Sequence, residues 1–267
     1  MIVPAQSDAV LELDDFMAHL DKHLDVESED CLVAMAPQLV ALANNRRFLA
    51  RHLAATITRP DFQQNNPFTG PVFVLANRRH FMVRAIGWPP AADNTGASHN
   101  STYRVAHNHA FSLLTVGYWG PGYDTDVFEC PPQTLADAAN GSSAELGLPF
   151  IGRYRLAERT VLHFPAHRIV HVQHPPDSYS ISLNLVVKRS ADDSAEQYFF
   201  DVDSRRYRGS TGTTTNAWLR ILHLASRLPD PRYAGALTSV AAGHPSLRIR
   251  TVAREALARV VSSRESA

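Results

Sequence analysis

Residues 104–119 read RVAHNHAFSLLTVGYW, a stretch rich in strand-forming residues in which His107 and His109 stand one position apart. Side chains along a strand alternate between its two faces. Both imidazoles therefore project to the same side, about 6.5–7 Å apart at the backbone. From that separation two neutral imidazoles can converge on one divalent metal. The flanking residues are apolar, which argues against a polar pair on a solvent face.

Outward from this stretch the same texture runs from Pro71 to about Tyr207. Short segments rich in Val, Ile, Phe, Tyr and Thr alternate with turn residues: PVFVLAN, HFMVRAIGW, TYRVAHNH, FSLLTVGYW, YDTDVFE, FIGRYRLAE, TVLHFPA, RIVHVQH, SYSISLNLVV and EQYFFDV. The breaks carry turn chemistry, with GPG at 120–122, NG at 140–141 and PPD at 175–177. Many short strands at this spacing predict a mainly β sandwich or small barrel. The insert from Pro131 to Leu148, with its Ala-Asp-Ala-Ala run, reads as a loop with a helical turn.

The flanks read differently. Val10, Leu13, Met17, Leu20 and Leu24 recur at helical steps, as do Leu32, Met35, Leu39, Leu42 and Ala43, and the pattern fails before Pro60. Beyond the Gly209–Thr215 break, Trp218, Ile221, Leu222 and Ala225 make one helical stripe. Ile249, Val252, Ala253, Ala256, Leu257 and Val260 make another. HPSLRIRTVAREALARV resembles one helix of a HEAT-type repeat, but a single copy reads better as an amphipathic helix. The expected organisation is N-terminal helices over 1–66, a β-barrel over 67–208 and a C-terminal helical extension over 209–267.

Composition bounds the function. In 267 residues, 26 basic and 26 acidic side chains cancel, which argues against a generally basic nucleic-acid binder. Cys31 and Cys130 are too far apart for a CxxC pair, so a cysteine-based zinc site is excluded. The start, MIVPAQSDAVLELDD, has neither the basic nor the apolar region of a secretory signal, and no apolar run is long enough to span a bilayer. A soluble cytoplasmic protein with reduced thiols is the expectation. No phosphate-cradling glycine loop is present, so nucleotide use is unsupported.

A second histidine cluster lies in FPAHRIVHVQHPPD, where His167 and His171 share parity with Ile169 and Gln173. If this strand faces the first, one of the two completes a set of three nitrogens around a metal. His163 reads as a core or supporting group, and His174 as the lead into the Pro175-Pro176 turn.

These segments resemble the two motifs of the cupin superfamily. The first carries HxH on a strand, followed by a glutamate and then a glycine; HNH at 107–109 matches its core, and Gly117 or Gly120 its glycine. The second runs Pro-x-Gly-x-x-His, and FPAHRIVHVQ at 164–173 is similar to it, with Pro165 and His171 matching in type. The resemblance covers about residues 70–205 and implies a cupin-type double-stranded β-helix, a jelly-roll barrel. Leu113 and Leu114 stand where the glutamate is expected, which leaves the three-histidine set associated with cysteine dioxygenase and related thiol dioxygenases. Cupin spacing points to His171 as third ligand; the thiol dioxygenase comparison points to His167, which stays as the alternative.

Three neutral imidazoles leave a metal its full charge and open positions. The resemblance implies Fe(II) binding a small polar substrate, an amino acid or thiol, beside O₂; zinc, nickel or manganese would instead give a non-redox isomerase, lyase or hydrolase. A 2-oxoglutarate mechanism ranks lower, because Asn108 lies between the histidines and no acid occupies the motif position. A third reading is a ligand-sensing barrel whose helical tail binds a protein partner. Candidate site residues beyond the histidines are Arg84, placed to pair with a substrate carboxylate, Tyr103, which shares parity with His107, and Gln173, a donor that would orient a histidine. Asn184 is a second such donor, and Tyr118, Trp119 and Tyr123 are candidates to wall the barrel mouth. The expected partners are a small-molecule substrate and O₂, with no nucleic acid and no membrane; a homodimer is compatible with the sequence.

Overall fold

The computed structural model describes all residues except 65, 67, 69, 96–101, 141–144, 190–195, 212, 229, 245 and 266–267, and the side chains of 213–215, 231 and 262–265. Gly141 of the expected Asn-Gly turn and part of the Gly209–Thr215 break lie outside the described residues. The chain divides into two compact units, Met1–Cys130 with Leu148–Ala195, and Pro131–Gly147 with Glu196–Ala267.

The first unit opens with four helices: α1 Leu13–His23, α2 Glu29–Ala34, α3 Ala36–Asn44 and α4 Phe48–Thr56. The apolar periodicity running through 32–43 suggests one helix, but the chain breaks at Met35. Pro37 sits in the first turn of α3, where its missing N–H is tolerated; further inside a helix it would remove a bond. Ser28 starts α2 by accepting a hydrogen bond from the Cys31 N–H at 3.2 Å.

Among the described residues nine strands follow: β1 Val72–Asn77, β2 Phe81–Trp88, β3 Ala106–His107, β4 Ser112–Trp119, β5 Asp124–Glu129, β6 Phe150–Arg155, β7 Val161–Phe164, β8 Ile169–Gln173 and β9 Ser180–Val187. One sheet has the order β1-β2-β9-β4-β7, and the other contains β3-β8-β5-β6. The pairs β5·β6, β4·β7, β3·β8 and β2·β9 are all antiparallel. A long hairpin tipped at β5–β6 and rolled so that successive pairs fall in alternate sheets gives this order. It is a jelly roll, and the mainly β architecture expected from the sequence is the one the chain adopts.

The central strands of the first sheet are buried on both faces, so FSLLTVGYW shows no clean polar alternation. Outward, Val83, Leu114, Val116, Leu183 and Leu185 pack with Phe16, Leu20, Leu39 and Leu42 of the helices. Inward, Ile86, Trp88, Leu113, Leu162, Phe164 and Val186 meet Val127 and Ile169 of the second sheet. The polar face of β9 also looks inward: Asn184 Oδ1 accepts from Thr115 Oγ1 at 2.7 Å and from Ser182 Oγ at 3.1 Å, and Ser182 Oγ accepts from Trp88 Nε1 at 2.9 Å. In the GPG turn between β4 and β5, Gly122 has φ +80°, and a Cβ there would lie 2.0 Å from the Leu156 carbonyl oxygen.

The second unit contains α5 Pro132–Ala139, a hairpin of β10 Tyr198–Asp201 and β11 Arg206–Ser210, and helices α6 Thr213–Arg227, α7 Ala234–Gly243 and α8 Leu247–Glu265. Leu222, Leu237, Ala241, Ile249, Ala253, Ala256 and Val260 form its core. Ile221, grouped in sequence with Trp218, Leu222 and Ala225, is instead 60 % exposed, because the small residues of α7 and α8 cover only one side of α6. Among the described residues no helix is long and apolar enough to cross a membrane.

Candidate metal centre

Strands β3 and β8 of the second sheet carry His107 and His171, and His109 lies in the segment just beyond β3. In the β3–β8 pair His107 stands directly opposite His171, and β5 flanks β8 on its other side, with Val127 opposite His171. His109, two residues beyond His107, turns its ring to the same side. The ring centroids lie 5.1 Å (107–109), 4.6 Å (107–171) and 4.8 Å (109–171) apart. One ring nitrogen from each falls within 4.8 Å of the others, and His109 Nε2 is 2.9 Å from His171 Nε2. All three residues are buried.

The protonation of this cluster follows from its surroundings. Burial lowers the His171 pKa well below the usual imidazole value, and the neighbouring His107 and His109 lower it further. Burial also lowers that of His107, partly opposed by the Val105 carbonyl. His107 Nδ1 lies 2.8 Å from that carbonyl oxygen, which can only accept, so Nδ1 carries the proton and the Nε2 lone pair is left for the cluster. Gln173 Nε2 lies 3.2 Å from His171 Nδ1. Buried, nitrogen-only donors converging on one point suit a divalent transition metal; imidazole is common to iron, nickel, copper and zinc sites. The residues present fit such an ion.

His167 stands outside this group. Its backbone is left-handed, with φ 61°, and its N–H donates to the His109 carbonyl at 2.9 Å, bracing the segment that carries a cluster histidine. His163 lies on the opposite face of β7 from Phe164, with Nε2 2.8 Å from Glu29 Oε2. Glu29 also accepts hydrogen bonds from Ser112 and Arg189. His174 pairs with Asp126 at 2.7 Å.

Arg84 is inside the barrel. It stands opposite Asn184 on β9, is 5 % exposed, and lies over the rings of Phe68 at 4.4 Å and Phe111 at 5.5 Å. Among the described residues no carboxylate pairs with it, and its Nε has no hydrogen-bond partner. Burial pulls its pKa down to about 10, so the guanidinium stays charged at neutral pH. Its charge also contributes to lowering the His107 pKa. Phe111 links the two features, since its ring stacks on His109 at 4.6 Å. The sequence reading missed Phe111, which lies between β3 and β4 and stacks on His109 from outside any strand.

Tyr103 reaches the interior, but its hydroxyl donates to the Pro89 carbonyl at 2.8 Å, and burial raises its pKa well above the usual phenol value. Gln173 lies beside His171 with its Oε1 unpartnered. Asn184 serves Thr115 and Ser182 as above. Of the three aromatic residues expected at the mouth, Tyr123 is buried against Trp88 at 4.2 Å, Tyr118 faces outward against Phe48, and Trp119 is 48 % exposed.

No family model matches the chain, and no curated protein matches it. Solved structures do. A structure of the DMSP lyases RdDddP and RnDddQII aligns at 15 % identity and TM-score 0.28, over 47 % of this chain and 50 % of that one. Hydroquinone 1,2-dioxygenase from Sphingomonas sp. TTNP3, with 4-hydroxybenzoate bound, aligns at 9 % identity and TM-score 0.31, over 47 % and 70 %. A cupin domain from Bordetella pertussis aligns at 12 % identity and TM-score 0.25, over 46 % and 98 %. The chain thus spans half the length of the lyase it matches. The jelly-roll assignment rests on the strand order itself.

Proposed function

We propose that this chain is a mononuclear non-haem Fe(II) oxygenase acting on a small, polar, carboxylate-bearing substrate such as an amino acid or thiol. The observation that carries the reading is a buried cation, Arg84, with no carboxylate partner among the described residues, sharing the barrel interior with three converging imidazoles. A buried charge without a partner is costly to hold, and a bidentate carboxylate would compensate it.

His107, His109 and His171 would hold the metal, and Fe(II) there would supply redox chemistry and open positions for O₂ and substrate. Val105, through its carbonyl, fixes the His107 tautomer, and Gln173 lies against the His171 ring, 3.2 Å from Nδ1 and 3.3 Å from Nε2. Phe111, between His109 and Arg84, keeps water from both and sets their spacing. Arg84 would anchor the substrate carboxylate and leave the other end of the molecule toward the histidines. Tyr103, whose hydroxyl donates its hydrogen bond to the Pro89 carbonyl, shapes the wall and transfers nothing. The lyase and dioxygenase names among the structural matches are compatible with this reading but do not choose within it.

The test is to load the protein with Fe(II) anaerobically, add nitric oxide as an O₂ surrogate, and record the electron paramagnetic resonance spectrum. Oxygen uptake is then followed with a panel of amino acids and small thiol carboxylates. A high-spin iron–nitrosyl signal and substrate-dependent oxygen uptake are expected. Turnover under strict anaerobiosis with zinc, nickel or manganese would replace this reading with a non-redox isomerase, lyase or hydrolase at the same site.

A further inference from the structure

Helix α6 is apolar over a wider arc than its own bundle covers. Trp218, Leu222 and Ala225 pack into the bundle core. Around the helix from them, Ala217, Ile221 and Leu224, and Leu228 one residue past its end with its N–H bonded to the Leu224 carbonyl, follow one another at steps of four, three and four residues, and all are exposed; the last three are 60 %, 58 % and 57 % exposed. That spacing is the narrow a/d stripe by which one helix receives another. Arg220 and Arg227 border it on the side away from the core, exposed and with no carboxylate partner among the described residues. We propose that this stripe is a docking surface for an acidic amphipathic helix of another protein, its apolar residues seated on Ile221, Leu224 and Leu228 and its carboxylates facing Arg220 and Arg227.

Charge selects this occupant. Residues 213–265 contain eight arginines and no lysine against three acids, Asp230, Glu255 and Glu265, a surplus of five positive charges in a chain that is neutral as a whole. Helix α6 itself contains no acidic residue. A second copy pairing α6 against α6 would set arginines against arginines, which disfavours self-association through this face. A membrane-surface helix presents a broad apolar face with its aromatic residues in the lipid. Here the aromatic residue, Trp218, is turned inward against His244, with ring centroids 5.3 Å apart.

The probe is a synthetic three-heptad peptide with leucine at a and d and glutamate at e and g, labelled for fluorescence anisotropy and titrated with the full chain. Saturable binding is expected, weakening as salt is raised and falling at least about tenfold in Leu224→Asp, as for an anchor residue of an interface. The double variant Arg220→Glu/Arg227→Glu should lose the glutamate peptide and gain one with lysine at e and g; that gain requires folded protein. The proposal is overturned if the full chain does not bind the peptide or Leu224→Asp binds it unchanged. It is equally overturned if the chain forms dimers that Leu224→Asp dissolves, or sediments with phosphatidylserine vesicles through Leu224.

Discussion

Arg84 is the residue whose position most needs a reason. A buried guanidinium held over two phenylalanine rings, with no carboxylate partner among the described residues, is costly to the fold in a way that an apolar side chain of similar length is not. Arg84→Met should therefore stabilise the protein by about 1–3 kcal/mol, read as a higher midpoint in denaturant, while removing substrate-dependent turnover. Arg84→Lys should keep the charge, lose the bidentate geometry and raise KM more than it lowers kcat. A loss of stability in Arg84→Met would show that the arginine is structural. The sequence paired His107 with His109 by strand parity; the structure brings both to His171, although β3 ends at His107 and His109 lies beyond it. The choice between His171 and His167 was not legible from spacing, because it depends on a left-handed turn at His167 that lifts it out of the strand register. Nor was the lack of a carboxylate partner for Arg84 among the described residues, since that is a property of packing.

At the scale of elements, β4 is held on both sides and tolerates little. A Cβ on Gly117 would lie 2.0 Å from the Ala157 carbonyl oxygen, a backbone atom that cannot step aside. Gly117→Ala should cost about 1–3 kcal/mol or more, measured by equilibrium denaturation. Strand β6 is pinned to β5 by ion pairs, Arg155–Asp124 at 2.9 Å and Arg153–Asp126 at 2.5 Å. The guanidinium partners hold both carboxyl groups below the ordinary aspartate range. Their contribution is present above the unfolded aspartate pKa and is lost as pH falls through the depressed folded value. Asp126→Asn should thus cost about 0.2–1 kcal/mol at neutral pH, small because Arg153 is largely exposed, and nothing once both forms are protonated. An equal loss at both pH values would assign the effect to packing. Strong hydrophobic contrast made β1, β2 and β4–β10 legible. The hairpin strand RYRGS of β11 and the helix AGALTSVAAG of α7 were missed, one because it is polar and the other because small residues give no face. Which side of β9 looks inward was also hidden, because the polar serines and Asn184 face the core and satisfy one another there.

At the scale of the whole molecule, each unit has its own hydrophobic core, and the proposed metal belongs entirely to the first. A ligand that binds only the folded site stabilises what must open to release it. Adding the metal should slow amide hydrogen exchange in β3, β5 and β8 and leave α6, α7 and α8 unchanged; protection confined to the helices would relocate the site. The most direct measurement is elemental analysis of the full chain purified without oxygen or chelator, alongside its histidine variants. About one divalent transition-metal ion per chain is predicted, lost in His107→Ala, His109→Ala and His171→Ala and retained in His167→Ala. A chain that refuses metal with all three histidines intact, or that keeps it in His171→Ala and loses it in His167→Ala, would contradict the account.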